Sequence, residues 1–184
     1  MGRAFSFPLP EVIVSTKAAT VRLGGDIGRL SLRARGDLSS LNAALGVTLP
    51  AKIGDCAKAG DLEVVCLGPD EWLLLMPQGL VADISAKMAE VYASHPHSLA
   101  DISDRELSFD ISGPKAAELI TLACPRDIDT FPVGSARRTV FDGASVVLWR
   151  DAEDHFRMDV WNSFAPFAAQ TLDTGGKELA VEMA

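Results

Sequence analysis

Leu30, Leu32 and Ala34 alternate with Ser31, Arg33 and Arg35, the period-two pattern of a strand with one buried face. Gly36 ends the run, and Asp37 can cap a helix with apolar positions Leu38, Leu41 and Leu45. The same order returns further along the chain. Leu107, Phe109 and Ile111 alternate with Ser108, Asp110 and Ser112, and Gly113 ends that strand. Pro114 stands where a first helical position is expected, since its missing N–H costs nothing there. Ala116, Leu119, Ile120 and Ala123 then mark a helix face.

Each half continues alike. Leu62–Leu67 and Trp72–Met76 predict two strands in the first half, Ser145–Trp149 and Phe156–Val160 two in the second, with Arg138–Phe141 as a further strand. A helix closes each half. Val81, Ile84, Met88 and Val91 line one; Phe164, Phe167, Ala168 and Leu172 line the other, with Asn162 or Ser163 as its cap and Pro166 in its first turn. Leu99–Ile102 is a possible extra strand joining the halves, and Gly24–Gly28 reads as a turn. The expected fold class is α+β: two pseudo-repeated β-α-β-β-α units with antiparallel sheets. The expected organisation is an N-terminal arm (1–25), one globular domain (26–173, repeats about 26–100 and 101–173) and a loose C-terminal tail (174–184).

Composition narrows the function classes. The 184 residues are 48% hydrophobic and 23% charged, enough for a substantial core. The formal net charge of −8 repels phosphate backbones, so nucleic acid is not an expected partner. Cys56, Cys66 and Cys124 form no CxxC and read as thiols in a reducing compartment. No apolar run approaches the ~20 residues of a membrane span. The segment MGRAFSFPLP carries one basic residue and no long apolar core, so no signal peptide is expected. The expected location is cytoplasmic, without membrane contact.

Candidate chemistry is sparse. Asp70 and Glu71 sit together in LGPDEWLLLMP, but Pro69 favours a turn there and adjacent strand residues face opposite ways. Their carboxylates are expected to diverge, whereas acid–base catalysis needs convergence. His95 and His97 resemble a ligand pair, with Asp101 as a third ligand, yet no cluster at zinc spacing accompanies them. Neither a nucleophile elbow nor a phosphate loop occurs. No catalytic, cofactor-binding or metal-binding residue is assigned. Arg137 and Arg138 open a strand on opposite faces, serving either an intrachain ion pair or an interface. Trp161 is out of phase with the buried row Phe156, Met158 and Val160, and either covers a helix or anchors an interface. Phe131, Arg138, Trp161 and Phe164 are the candidate partner-interface residues.

Three stretches, LGPDEWLLL, FDISGPKAAELITLACPRDIDTFPVGSARRTVF and VWNSFAPFAAQTL, together resemble the gamma subunit of heterotetrameric sarcosine oxidase over residues 60–173. The resemblance implies a fold related to the folate-binding domain of aminomethyltransferase. It also implies a non-catalytic place in an oxidoreductase complex acting on CH–NH bonds. Such a complex demethylates sarcosine to glycine and hydrogen peroxide, with formaldehyde or methylenetetrahydrofolate. The implied partners are alpha, beta and delta subunits; FAD, FMN, NAD and tetrahydrofolate belong to them, and this chain supports the folate-handling part of alpha. In the aminomethyltransferases, acids after a glycine pair meet folate, whereas here Asp142-Gly143-Ala144-Ser145-Val146-Val147 places apolar residues. The alternative is a stand-alone folate-binding transferase or folate sensor of the same fold.

Overall fold

A computed structural model describes residues 9–183. Two strands come first, β1 (Val12–Ser15) and β2 (Thr20–Leu23). The chain then divides into two compact units. The first unit is Asp26–Ser103; the second joins Met1–Gly25 to Asp104–Ala184.

The first unit opens with β3 (Ile27–Arg33) and α1 (Ser39–Leu45). Asp37 does not cap α1 directly: Leu38 holds the cap position, and Asp37 Oδ1 accepts the Ser39 N–H at 3.0 Å in the preceding turn. This bond holds the Asp37 carboxyl below its ordinary pKa. Strands β4 (Cys56–Ala59), β5 (Leu62–Gly68) and β6 (Glu71–Pro77) form an antiparallel meander. The short β4, with no alternating pattern of its own, forms by pairing Cys56–Ala59 with Val65–Leu62. Helix α2 (Val81–Val91) and strand β7 (Ser98–Asp101) complete the unit. The sheet order is β4-β5-β6-β3-β7. Leu30, Leu32, Trp72, Leu74 and Met76 form one core with Leu41, Ile84 and Met88 of the helices. Gly28, expected in a turn, is the second residue of β3, and a Cβ there would lie 2.3 Å from Val81 Cγ2.

The second unit contains β8 (Glu106–Ser112), α3 (Ala116–Thr121), β9 (Ser135–Phe141), β10 (Ala144–Ala152), β11 (His155–Trp161) and α4 (Ala165–Glu182). Its sheet order is β1-β2-β8-β11-β10-β9. Asp142 and Gly143 join β9 to β10 with φ of +49° and +82°, the double left-handed conformation of a type I′ hairpin turn. Phe109, Ile111, Phe156, Met158 and Leu172 lie in the core of this unit.

Three expectations change here. Of the residues read as an arm, 1–8 lie outside the described residues, and 9–25 supply two strands, with β2 paired to β8 through Thr20↔Ser112 to Leu23↔Phe109. Pro114 precedes the helix instead of opening it, because Lys115 is the cap and its N–H goes to Ala18 O at 2.9 Å. The residues read as a tail continue α4 to Glu182. Thr174-Gly175-Gly176 looks like a helix breaker, but both glycines are buried where the helix is crowded. A Cβ on Gly175 would lie 2.7 Å from Leu122 Cδ1, and one on Gly176 3.2 Å from Val14. Close packing offsets the roughly 1 kcal/mol that each glycine costs a helix. Among the described residues, no helix is long and apolar enough to cross a membrane.

Candidate functional site: an interaction surface

The charged groups that suggested chemistry are absorbed by architecture. Asp70 and Glu71 do not diverge, because Asp70 lies in the β5–β6 turn and not in the strand. Both reach Arg33, at 3.2 and 3.0 Å, and Arg35 holds Asp70 at 2.8 Å. The Arg35 hydrogen bond, aided by the charges of Arg35 and Arg33, keeps the Asp70 carboxyl below the usual carboxylate range. An acid so paired is a poor proton carrier at neutral pH. His97 Nδ1 lies 2.8 Å from the His95 carbonyl, and its ring meets Tyr92 edge-on at 5.5 Å. Among the described residues, no group of three His, Cys, Asp or Glu side chains is placed to hold a metal ion.

In the second unit the buried polar groups are scaffolding. The Arg150 guanidinium donates to the Ile128 and Phe131 carbonyls at 2.8 and 2.6 Å and to Glu153 at 2.7 Å, and so straps down the loop before β9. Asp159 accepts from the Ser108 hydroxyl and, at 3.0 Å, from Trp149 Nε1. Arg157 stacks on Trp149 at 4.7 Å and pairs with Asp151 at 2.6 Å.

Of the four candidate interface residues, Phe131 is displaced. It is 1% exposed, in the core with Arg126 over its ring at 5.7 Å. It was expected at a partner interface, but Arg150 binds its carbonyl at 2.6 Å and straps its backbone inward. Arg138 is exposed on β9, an edge strand, opposite Val147. Trp161 and Phe164 are each 45% exposed, and Arg105 covers one face of Trp161 at 5.4 Å.

The structure adds Phe167, which the pattern had assigned to the buried face of α4. That face is instead Ala165, Ala168, Ala169, Leu172 and Leu179, with the glycine pair. A stripe of small residues is a weaker hydropathy signal than two phenylalanines, yet it carries the helical spacing. Phe164 and Phe167 lie three apart, hence on one side of the helix. With Leu122, Phe167 borders a groove of about 480 Å³ between α3 and α4. Exposed aromatics arranged together suit protein recognition better than catalysis.

These features agree with the relatives. The sarcosine oxidase gamma subunit family matches residues 36–178. The chain belongs to that family. It is 29% identical over 161 residues to the sarcosine oxidase subunit gamma of Corynebacterium sp. (strain P-1), covering 85% of this chain and 77% of the relative. Its structure resembles a chain of the heterotetrameric sarcosine oxidase from Corynebacterium sp. U-96, with TM-score 0.80 and 28% identity. That match spans 92% of this chain and 89% of the other. The glycine cleavage system aminomethyltransferase T from Bartonella henselae shares the fold, with TM-score 0.63 at 14% identity over 85% of this chain and 46% of that one.

Proposed function

We propose that this chain is the gamma subunit of a heterotetrameric sarcosine oxidase. It is a non-catalytic component that binds alpha, beta and delta chains and supports the folate-handling part of alpha. The observation that carries the reading is the match along 92% of the chain to a chain of such a heterotetramer, at TM-score 0.80. The exposed aromatics Trp161, Phe164 and Phe167 support it, since large apolar side chains of this kind are held at protein interfaces. The engagement of Asp70, Glu71 and Asp159 in structural bonds supports placing FAD, FMN, NAD and tetrahydrofolate in the partner chains. The three cysteines, none of them in a disulfide, support a reducing, cytoplasmic location.

The test is isolation from the native host. Copurification with larger flavin-containing chains that oxidise sarcosine is the expected result. A chain that emerges alone at micromolar concentration overturns the proposal. The alternative, a stand-alone folate-binding protein, is separated by titrating the isolated chain with tetrahydrofolate, where saturable binding favours it. At the hairpin of interest, Asp142 Oδ2 already accepts the Thr171 hydroxyl at 2.7 Å, and Val146 and Val147 are buried.

A further inference from the structure

The two sheets share a strand order, so every position in one has a counterpart in the other. The series β4, β5, β6, β3, β7 corresponds to β9, β10, β11, β8, β2. Beyond β2 the second unit has β1; beyond β7 the first unit has no strand among the described residues. In the second unit that place is well filled. Val14 of β1 is 4% exposed against Gly176 of α4, and the Thr16 hydroxyl donates to the Gly176 carbonyl at 3.2 Å.

The corresponding place in the first unit is a groove of about 660 Å³ between α2 and β7. Leu30 and Met88 line it, with Ala89 and Tyr92 from α2 and Leu99 and Asp101 from β7. The open side of β7 carries backbone hydrogen-bonding groups. The Ile102 N–H donates to the Arg29 carbonyl at 2.9 Å, and Leu30 pairs with Asp101. Antiparallel ladders alternate, so Ser98 and Ala100 bond β3, and the N–H and C=O groups of Leu99 and Asp101 face away from it. A row of this kind is a template for another strand.

The side chains say what that strand carries. Over the buried Leu30 and Met88, the half-buried Leu99 and the exposed Ala89 and Tyr92 offer apolar surface and call for an apolar residue. Asp101 Oδ1 takes the Ser103 N–H and hydroxyl at 2.9 and 2.6 Å, leaving its second oxygen for another donor. The remaining Asp101 oxygen in the groove, on a chain of net charge −8, is complementary to a basic side chain.

We propose that the α2–β7 groove receives an extended segment of a partner chain, which pairs with β7 as a sixth strand. The segment carries an apolar and a basic side chain two positions apart, on the face turned to Leu99 and Asp101. The inference rests on the reading of this chain as a subunit of a complex.

The test compares backbone amide exchange in the complex purified from its host with exchange in the isolated chain. Expected is protection of the Leu99 and Asp101 amides on assembly, with the β4 edge unchanged. Ala89→Arg fills the groove from an exposed position of α2, and should weaken assembly about tenfold or more while leaving the fold intact. Asp101→Asn keeps the Ser103 acceptor and should weaken assembly a few-fold. Normal assembly with unprotected β7 amides and an indifferent Ala89→Arg refutes the groove and leaves the subunit reading standing. Concentration-dependent protection in the isolated chain identifies a second copy as the occupant and overturns the partner-chain proposal. A chain that copurifies with no other chain fails the subunit reading and this proposal together.

Discussion

The first unit ends its sheet on an open strand; the second ends the same sheet on a filled one. Both sheets keep one order, but β1 adds a sixth strand to the second, and the 18-residue α4 reaches over it where the first unit has the 11-residue α2. The difference teaches that each repeat folds as a unit, but only the second recruits strands from outside itself. Strand β2 precedes β3 in sequence yet pairs with β8, whereas β7 stays with β3 in the first unit. The second unit thus takes β1 and β2 from the residues read as an arm. Edge strands invite pairing, and the second unit meets that hazard with its own N-terminal residues.

The comparison can be broken or sharpened by substitution. The largest effect is expected at Phe131, the residue expected on the surface and found in the core. Phe131→Ala should cost about 3–5 kcal/mol in denaturant unfolding, whereas Phe164→Ala should stay within about 0.5 kcal/mol. Equal costs for the two would undo the assignment of core and surface in the second unit.

A smaller effect tests filled against open edges. Val14→Ala, in the strand that completes the second sheet, should cost about 1–2 kcal/mol. Leu99→Ala, on the open edge, should cost the isolated chain less than about 1 kcal/mol, and weaken assembly instead. A Leu99 variant as destabilised as the Val14 variant would mean that the groove is closed in the isolated chain.

The smallest effect lies at the first unit's hairpin. The folded Asp70 pKa is depressed below 3.8. Its contribution to stability is therefore full above the unfolded carboxylate pKa and is lost as pH falls through the folded one. Asp70→Asn should flatten the acid limb of the stability profile below about pH 4 and leave thermal unfolding at pH 7 nearly unchanged. An unaltered acid limb would show that the Arg33–Asp70–Arg35 cluster contributes nothing.

Much of this was legible before any coordinates. Alternation located β6, β8 and β11 within a residue and β3 within three, and Val81, Ile84, Met88 and Val91 marked α2 at its observed bounds. Strand β4 was not legible, because Cys-Ala-Lys-Ala has neither β-branched residues nor alternation and depends on its partner strand. The face of α4 was misjudged because its buried side is alanine and glycine, which hydropathy undervalues. Of the candidate surface, Trp161 was legible from its phase; Phe164 and Phe167 were both read on the lining face of the helix, and the groove beside β7 was not legible, since a strand pattern does not show which of its edges is paired.

The sequence by itself determined the local elements and their repetition, since both follow from side-chain period and turn chemistry within a few residues. Asp70 of LGPDEWLLLMP lies in the turn expected on that basis, while Glu71 opens β6. Only the tertiary structure decided that those acids close together on Arg33 and that Phe131 turns inward under the Arg150 strap. It alone decided that two glycines stay helical, and that β2 joins the sheet of the second unit. Each of these depends on groups far apart in the chain meeting at short distance, and nothing in a local window carries that information.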